Sequence, residues 1–407
     1  MGLRITGFVL LCTALFIVAT VLYRNSGRAD IPLVFAPSQI LDATWMRYRD
    51  AYVEKSSGRT VDPMRDNVTT SEGQSYTMLR AVWLGDKVTF DQSWKFAKES
   101  LQHKDDSLFS WLYGKRSNGS YGVLTDKGGS TSASDADIDI ALALIFGYSR
   151  WQHPLYINDA RAIVSDIWEK EVIEINGTYY LTANNLGKTS TTNTVLLNPS
   201  YFSPHAYRIF AKIDPKHPWM KLVDSSYKVL QKSIVSPLDA SHGSLPPDWI
   251  ALNKKSGALS PTYQTNLSTN YGYDAMRVPW RIALDWQWNH DMRAKDVLGH
   301  MVPLADSWAQ KGILTATYNH SGAPVETYES PAMYGGAIGY FMLTNPNEAK
   351  KVYTNKLVYL FDPDTNDWKR RLSYYDDNWA WFGIGLYNNL LPNLSVNLPT
   401  TAYSHKP

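Results

Sequence analysis

Three stretches of this sequence place acidic side chains where an acid needs a reason. Ser132-Ala133-Ser134-Asp135-Ala136-Asp137-Ile138-Asp139-Ile140-Ala141 sets three carboxylates at the mouth of a segment that continues Leu142-Ala143-Leu144-Ile145-Phe146. A helix that is apolar nearly all round belongs inside a protein, and Asp is seldom buried without a partner. Ser132-x-x-Asp135 also fits a helix cap, and a carboxylate at a helix amino terminus is held in its ionised form by the dipole. Asp135 is therefore expected to stay negative rather than hold a proton. In Thr70-Ser71-Glu72-Gly73-Gln74-Ser75-Tyr76, Thr69-x-x-Glu72 fits a capping box. Gly73 is odd inside a helix, where Gly costs ~1 kcal/mol relative to Ala, but a missing side chain beside a carboxylate lets a ligand come close. The third stretch, Tyr271-Gly272-Tyr273-Asp274-Ala275-Met276-Arg277-Val278-Pro279-Trp280-Arg281, reads as a helix-start Asp with nearby Arg. Its proline, aromatics and two guanidiniums also make a rigid polar corner. Carboxyl groups in unlike surroundings suit acid–base chemistry, one raised to hold a proton and another left charged to take one.

Composition narrows what such chemistry acts on. Forty basic residues against 38 acidic ones, with no basic stripe, leave no electrostatic footprint for nucleic acid. Aromatics are in surplus: 15 Trp, 26 Tyr and 12 Phe, more than a helical core requires. Flat apolar faces with a polar edge suit sugar rings in a cleft. The only cysteine, Cys12, lies in the N-terminal apolar run, so disulfides, zinc-thiolate sites and thiol nucleophiles are excluded from the rest. The nine histidines show no HExxH spacing and no phosphate-cradling Gly-rich motif precedes a helix, so no metal and no cofactor are expected.

Residues Ile5 to Tyr23 form a 19-residue run without charge between Arg4 and Arg24, close to the ~20 residues that cross a bilayer. No convincing small-x-small cleavage site follows it. Residues 1–30 are expected to be an uncleaved signal anchor, with a cleaved secretory signal as the alternative. Residues 31–407 are expected to form one domain, outside the cytoplasm, anchored to the membrane or secreted.

The elements that must position the acids read mainly as helices. Apolar periodicity places twelve near residues 37–52, 72–84, 90–102, 136–151, 155–170, 201–212, 216–233, 274–288, 292–311, 329–343, 346–357 and 376–391. One hairpin is expected, Val172 to Ile175 and Thr178 to Leu181 around Asn176-Gly177. No linker divides the chain. Twelve helices in one unit suggest an all-α fold, an α/α toroid of six inner and six outer helices with short β-hairpin loops.

The three acidic stretches resemble glycoside hydrolase family 8. The likeness runs through Ser71-Glu72-Gly73-Gln74, Leu108-Phe109-Ser110-Trp111, Ala133-Ser134-Asp135-Ala136-Asp137 with Trp151 closing the helix, Asn198-Pro199-Ser200-Tyr201-Phe202, Leu245-Pro246-Pro247-Asp248-Trp249 and Tyr273-Asp274-Ala275-x-Arg277. It covers about residues 65 to 290; beyond them only helical character and Tyr374-Tyr375-Asp376 match. The resemblance implies an (α/α)6 barrel with an open cleft that cuts β-1,4-linked polysaccharide from within, inverting the anomeric carbon. It implies Glu72 as general acid, Asp274 as general base and Asp135 as the ionised carboxylate beneath the cleaved sugar. Trp111 would supply a stacking face, with Tyr201 and Arg277 around the sugar and the base. Glu72 is expected to be protonated through partial burial, Asp135 opposing its ionisation. A non-catalytic glycan binder that keeps the cleft and a polysaccharide lyase are the alternatives. The expected partner is a polysaccharide, one made by the same cell if the anchor holds, and the protein is expected to be a monomer.

Overall fold

The computed structural model describes residues 35–235, 238, 244–262, 264–395 and 398. The expected anchor at residues 1–30 lies outside the described residues. Among the described residues no helix is long and apolar enough to cross a membrane.

Six helices carry the core: Ser71–Leu84, Ser134–Trp151, Pro204–Ile213, Arg277–Asn289, Pro331–Thr344 and Tyr374–Tyr387. Each packs on the next in this order. The last returns to the first, where Arg80 Nη1 meets Asp377 Oδ1 at 2.9 Å and the Tyr76 ring meets Trp379 edge-on. A second layer covers them. Pro37–Tyr52 packs on Tyr374–Tyr387, Lys87–Phe96 on Ser71–Leu84, and Pro154–Glu171 on Ser134–Trp151. Trp219–Val235 covers Pro204–Ile213, Arg293–Gly299 lies against Arg277–Asn289, and Pro346–Val352 against Pro331–Thr344. This mostly helical, two-layered ring fits an (α/α)6 barrel.

The amphipathic outer helices and the largely buried inner ones follow from that layering. In Ser134–Trp151 every residue from Ser134 to Gly147 is buried, as expected for a helix covered on all sides. Close approach of inner helices depends on glycine. A Cβ on Gly335 would stand 1.9 Å from the Trp379 carbonyl oxygen, so Pro331–Thr344 and Tyr374–Tyr387 touch backbone to backbone there.

Eleven of the expected helices form within a few residues of their expected limits, two of them by continuing into a π-helical turn, Ala97–Leu101 after Lys87–Phe96 and Tyr353–Leu357 after Pro346–Val352. The twelfth, 292–311, is two: Arg293–Gly299 and Val302–Lys311. Pro303 breaks it, since proline lacks an N–H and clashes with the carbonyl four residues back, and is tolerated only in the first turn of the second helix. The hairpin forms in the expected register, Val172–Ile175 on Thr178–Leu181, with Asn176 and Gly177 at φ of 51° and 76°. Two three-stranded sheets and one more hairpin occupy the loops. One sheet joins Thr69–Thr70 to Leu112–Lys115 and Tyr121–Val123, tying the segment before Glu72 to the segment after Trp111.

Candidate active site

The acidic residues gather at the amino-terminal ends of inner helices. Glu72 is the second residue of Ser71–Leu84 and Asp135 the second of Ser134–Trp151. Arg277 opens Arg277–Asn289, Tyr374 opens Tyr374–Tyr387, and Asp274 stands in the turn just before Arg277. The capping readings of these acids do not hold. Thr70, not Thr69, caps the first helix, its hydroxyl accepting from Gly73 N at 3.0 Å. Ala133 precedes the second helix with no side-chain cap, and Ser132 donates instead to Glu171 at 2.5 Å. Both carboxylates are thereby free for other partners.

Those partners converge on one guanidinium. Arg277 is fully buried; its Nη1 donates to Glu72 Oε2 at 2.6 Å and to Asp135 Oδ2 at 2.8 Å, and its Nη2 donates to Asp274 Oδ1. The planar fork of Arg suits several carboxylates at fixed angles. Tyr201 lies beside the Arg277 guanidinium, 5.1 Å from ring centre to charge, and meets Trp249 edge-on. Asp274 Oδ2 accepts from Trp249 Nε1 at 3.0 Å, and Glu72 Oε1 from Tyr374 Oη at 3.2 Å. Glu72 and Asp274 keep 21% and 31% of their side-chain surface, so a ligand can reach both. Asp135 keeps 2%, and its Oδ1 is buried without a hydrogen-bond partner.

Burial is the largest influence on both Glu72 and Asp135. Burial pushes the Glu72 carboxyl up to about 7; Arg277 pulls it down, while Asp135 and Asp274 raise it further. Burial also raises Asp135, against the expectation drawn from the helix dipole; Arg277 and Arg281 oppose the rise. Desolvation of a side chain this enclosed outweighs the dipole, which is worth less than ~2 kcal/mol even when partly buried.

Trp111 adjoins the acids through the backbone: its carbonyl accepts from Ser71 N at 3.0 Å, one residue ahead of Glu72. Its indole packs on Val68, Leu112 and Leu124 and donates to Gly128 O at 2.9 Å, leaving the side chain half-buried. Gly73 has a reason different from the expected one. A Cβ there would lie 3.1 Å from Tyr374 Cε2, so what needs the space is the ring that hydrogen-bonds Glu72. The other carboxylates of the opening stretch serve the scaffold: Asp139 holds Arg281 in two bonds of 2.7 and 2.9 Å, and Asp137 accepts from Phe109 N.

Residue type alone gave no role to Tyr374, Trp249 or Asp248. Asp248 Oδ1 accepts from Gly272 N at 3.0 Å and Ala275 N at 2.7 Å, clasping the turn that presents Asp274. A Cβ on Gly272 would stand 2.6 Å from Asp248 Oδ2, which accounts for glycine at that position. The only signal for these residues was that they stand in stretches matching the family. Among the described residues no cluster of His, Cys, Asp and Glu has the arrangement of a metal site.

Residues 29–368 match the sequence profile of glycosyl hydrolases family 8. The chain belongs to that family. A probable endoglucanase of Novacetimonas hansenii is 35% identical over 256 residues, 62% of this chain and 68% of that one. Endoglucanase 2 of Ruminiclostridium josui is 26% identical over 388 residues, 91% of this chain and 74% of the relative. The crystal structure of an endo-1,4-D-glucanase from Vibrio fischeri superposes with a TM-score of 0.70 at 26% identity, covering 85% of this chain and 94% of that one. This family 8 protein is a glycoside hydrolase.

Proposed function

We propose that this family 8 hydrolase cuts β-1,4-linked glucan from within, with inversion, using Glu72 as the acid and Asp274 as the base. The observation that carries the reading is the single guanidinium of Arg277 bonded to Glu72, Asp135 and Asp274. Protonation of a leaving glycosidic oxygen needs a carboxyl that still holds its proton near neutrality; Glu72, raised to about 7 by burial, meets that need. Activation of water needs a second carboxylate set back from the first. Glu72 Oε2 lies 2.6 Å from Nη1 and Asp274 Oδ1 is bonded to Nη2 of the same guanidinium, so these two oxygens stand at most about 7.5 Å apart. That ceiling reaches the lower part of the ~6.5–9.5 Å of inverting enzymes, which leaves room for water.

In the proposed cycle a glycan lies across the mouth of the ring, with Trp111 as a stacking face. Asp135, held by Arg277, lies beneath the sugar being cleaved and stabilises the positive charge that develops on it. Glu72 gives its proton to the leaving oxygen while Asp274 takes one from the attacking water. Arg277 and Trp249 orient Asp274, and Tyr201 fills the space beside the guanidinium. The described residues of one chain supply these groups, in keeping with action as a monomer. Glucan as substrate is supported by the endoglucanase names of the relatives. An anchored enzyme trimming its own cell's exopolysaccharide is the proposed setting; recovery of the protein wholly in the culture medium with a new amino terminus would overturn the anchored form.

Proton NMR of the products from a soluble β-1,4-glucan tests the reaction. The α-anomer should appear first, and the β-anomer appearing first would refute inversion. Glu72→Gln should lower turnover by about 10²- to 10⁴-fold while retaining glycan binding; wild-type turnover would remove Glu72 from the mechanism.

A further inference from the structure

Behind the catalytic acids lies a second pair of carboxyl groups that the reaction does not use. Asp137 stands in the first turn of Ser134–Trp151, and Glu171 ends Pro154–Glu171. Both are fully buried. Each has one oxygen well occupied: Asp137 Oδ1 accepts from Phe109 N at 2.9 Å, and Glu171 Oε1 from Ser132 Oγ at 2.5 Å. Each has its other oxygen, Asp137 Oδ2 and Glu171 Oε2, buried with no donor. The two side chains are nevertheless within hydrogen-bond reach of one another. Ionised carboxylates only accept, so two such oxygens can satisfy each other only if one carries a hydrogen.

What hangs from this pair is the wall that bears Trp111. Phe109 N is held by Asp137, Ser110 N by Leu101 O at 2.8 Å, and Trp111 N by Thr131 O at 2.9 Å. Trp111 O then receives Ser71 N, next to Glu72. On the other side, Ser132 Oγ accepts from Asn185 N at 2.9 Å while donating to Glu171. A joint between Asp137 and Glu171 thus links the Phe109–Trp111 segment, the loop before Asp135 and the loop at Asn185.

We propose that Asp137 and Glu171 share a proton between their two unpaired oxygens, and that this joint is a positioning clasp for the wall carrying Trp111. The surroundings favour the proton. Burial, then the mutual presence of the pair, pushes Asp137 well above the usual carboxylate range. Burial raises Glu171 to about 8 against the hydrogen bonds from Ser132 and Asp137, which lower it, and the charges of Asp135 and Asp106 add to the rise. Asp106 is bonded to His103 Nδ1 at 2.9 Å, and Tyr207 on the Pro204–Ile213 helix is near enough to feel the Glu171 charge. Arg281, whose charge reaches Tyr207 too, is taken up by its two bonds to Asp139. The role given to the wall rests on Trp111 being a sugar-stacking face, so the test needs one readout that does not.

Three variants of the full chain decide it: Asp137→Ala, Asp137→Asn and Glu171→Gln. Asp137→Ala should reduce kcat/KM on a soluble β-1,4-glucan at least tenfold, mostly through KM. Asp137→Asn, whose amide N–H replaces the shared hydrogen, should recover to within about threefold of wild type. Infrared difference spectra near pH 7.5 should show a protonated-carboxyl stretch in the wild type that weakens in Asp137→Asn or Glu171→Gln. Equal carboxyl bands in all three proteins would overturn the shared proton, whatever the enzyme cuts. Asp137→Asn as impaired as Asp137→Ala, or Asp137→Ala unimpaired, would overturn the clasp. If Asp137→Ala does not fold, the two conservative variants and the infrared band still decide.

Discussion

Replacing Asp135 with Asn should move the alkaline limb of the pH–rate profile downward, and the structure sets the size of the move. Glu72 Oε2 and Asp135 Oδ2 accept from the same nitrogen of Arg277 over 2.6 and 2.8 Å, which caps their separation at 5.4 Å. Two unit charges at that distance repel by about 3 kcal/mol at an effective dielectric of ~20, or about two pH units. Charge is spread over each carboxylate, and the Arg277 guanidinium bonded to both damps their repulsion. A shift of about one unit is the expected outcome. The sign follows from the acid's role: Glu72 works only while protonated, so activity falls as pH rises through its value of about 7. Without the neighbouring negative charge Glu72 ionises more easily, and the fall should come near pH 6. The assay is kcat/KM for release of reducing ends from a soluble β-1,4-glucan between pH 4 and 9, compared with wild type. Overall activity should also drop, because Asp135 faces the sugar. An alkaline limb that stays in place or moves upward in Asp135→Asn would refute the assignment of that limb to Glu72.

Other consequences are open to direct measurement. Glu72 is raised above its ordinary 4.5, so the folded state holds a proton that the unfolded chain releases, and stability falls as pH rises from about 4.5 to about 7. Glu72→Gln lacks that loss and should be up to about 3 kcal/mol more stable than wild type at pH 8 by denaturant titration, with the difference vanishing near pH 4. Asp248→Ala removes the acceptor for Gly272 N and Ala275 N and should cut kcat/KM at least tenfold; Asp248→Asn, which keeps an oxygen there, should be milder. Gly335→Ala drives a methyl into the Trp379 carbonyl and should cost about 3 kcal/mol or more, seen as a lowered Tm.

The helical elements were legible because their signal is local. An apolar run such as Ile140 to Phe146 is read from neighbouring residues, as are the Asn176-Gly177 turn and the proline that opens Pro346–Val352. Pro303 was equally visible, yet the periodicity around it masked the break between 292 and 311. The catalytic candidates Glu72, Asp135 and Asp274, with Arg277, Tyr201 and Trp111, were singled out by oddity of place and by family likeness, and the fold brings them to one rim. What local pattern could not supply was the partner of each acid. Glu72 meets Arg277 across 205 residues and Tyr374 across 302; Asp135 meets Arg277 across 142.

Sequence alone therefore determined which segments coil, which of them must be enclosed and which acids stand at their mouths, since each depends on residues a few positions apart. Tertiary structure decided which partners each acid meets and that burial raises Glu72 and Asp135. Proton affinity answers to burial and to charges a few ångströms off, and here those charges come from helices on other sectors of the ring.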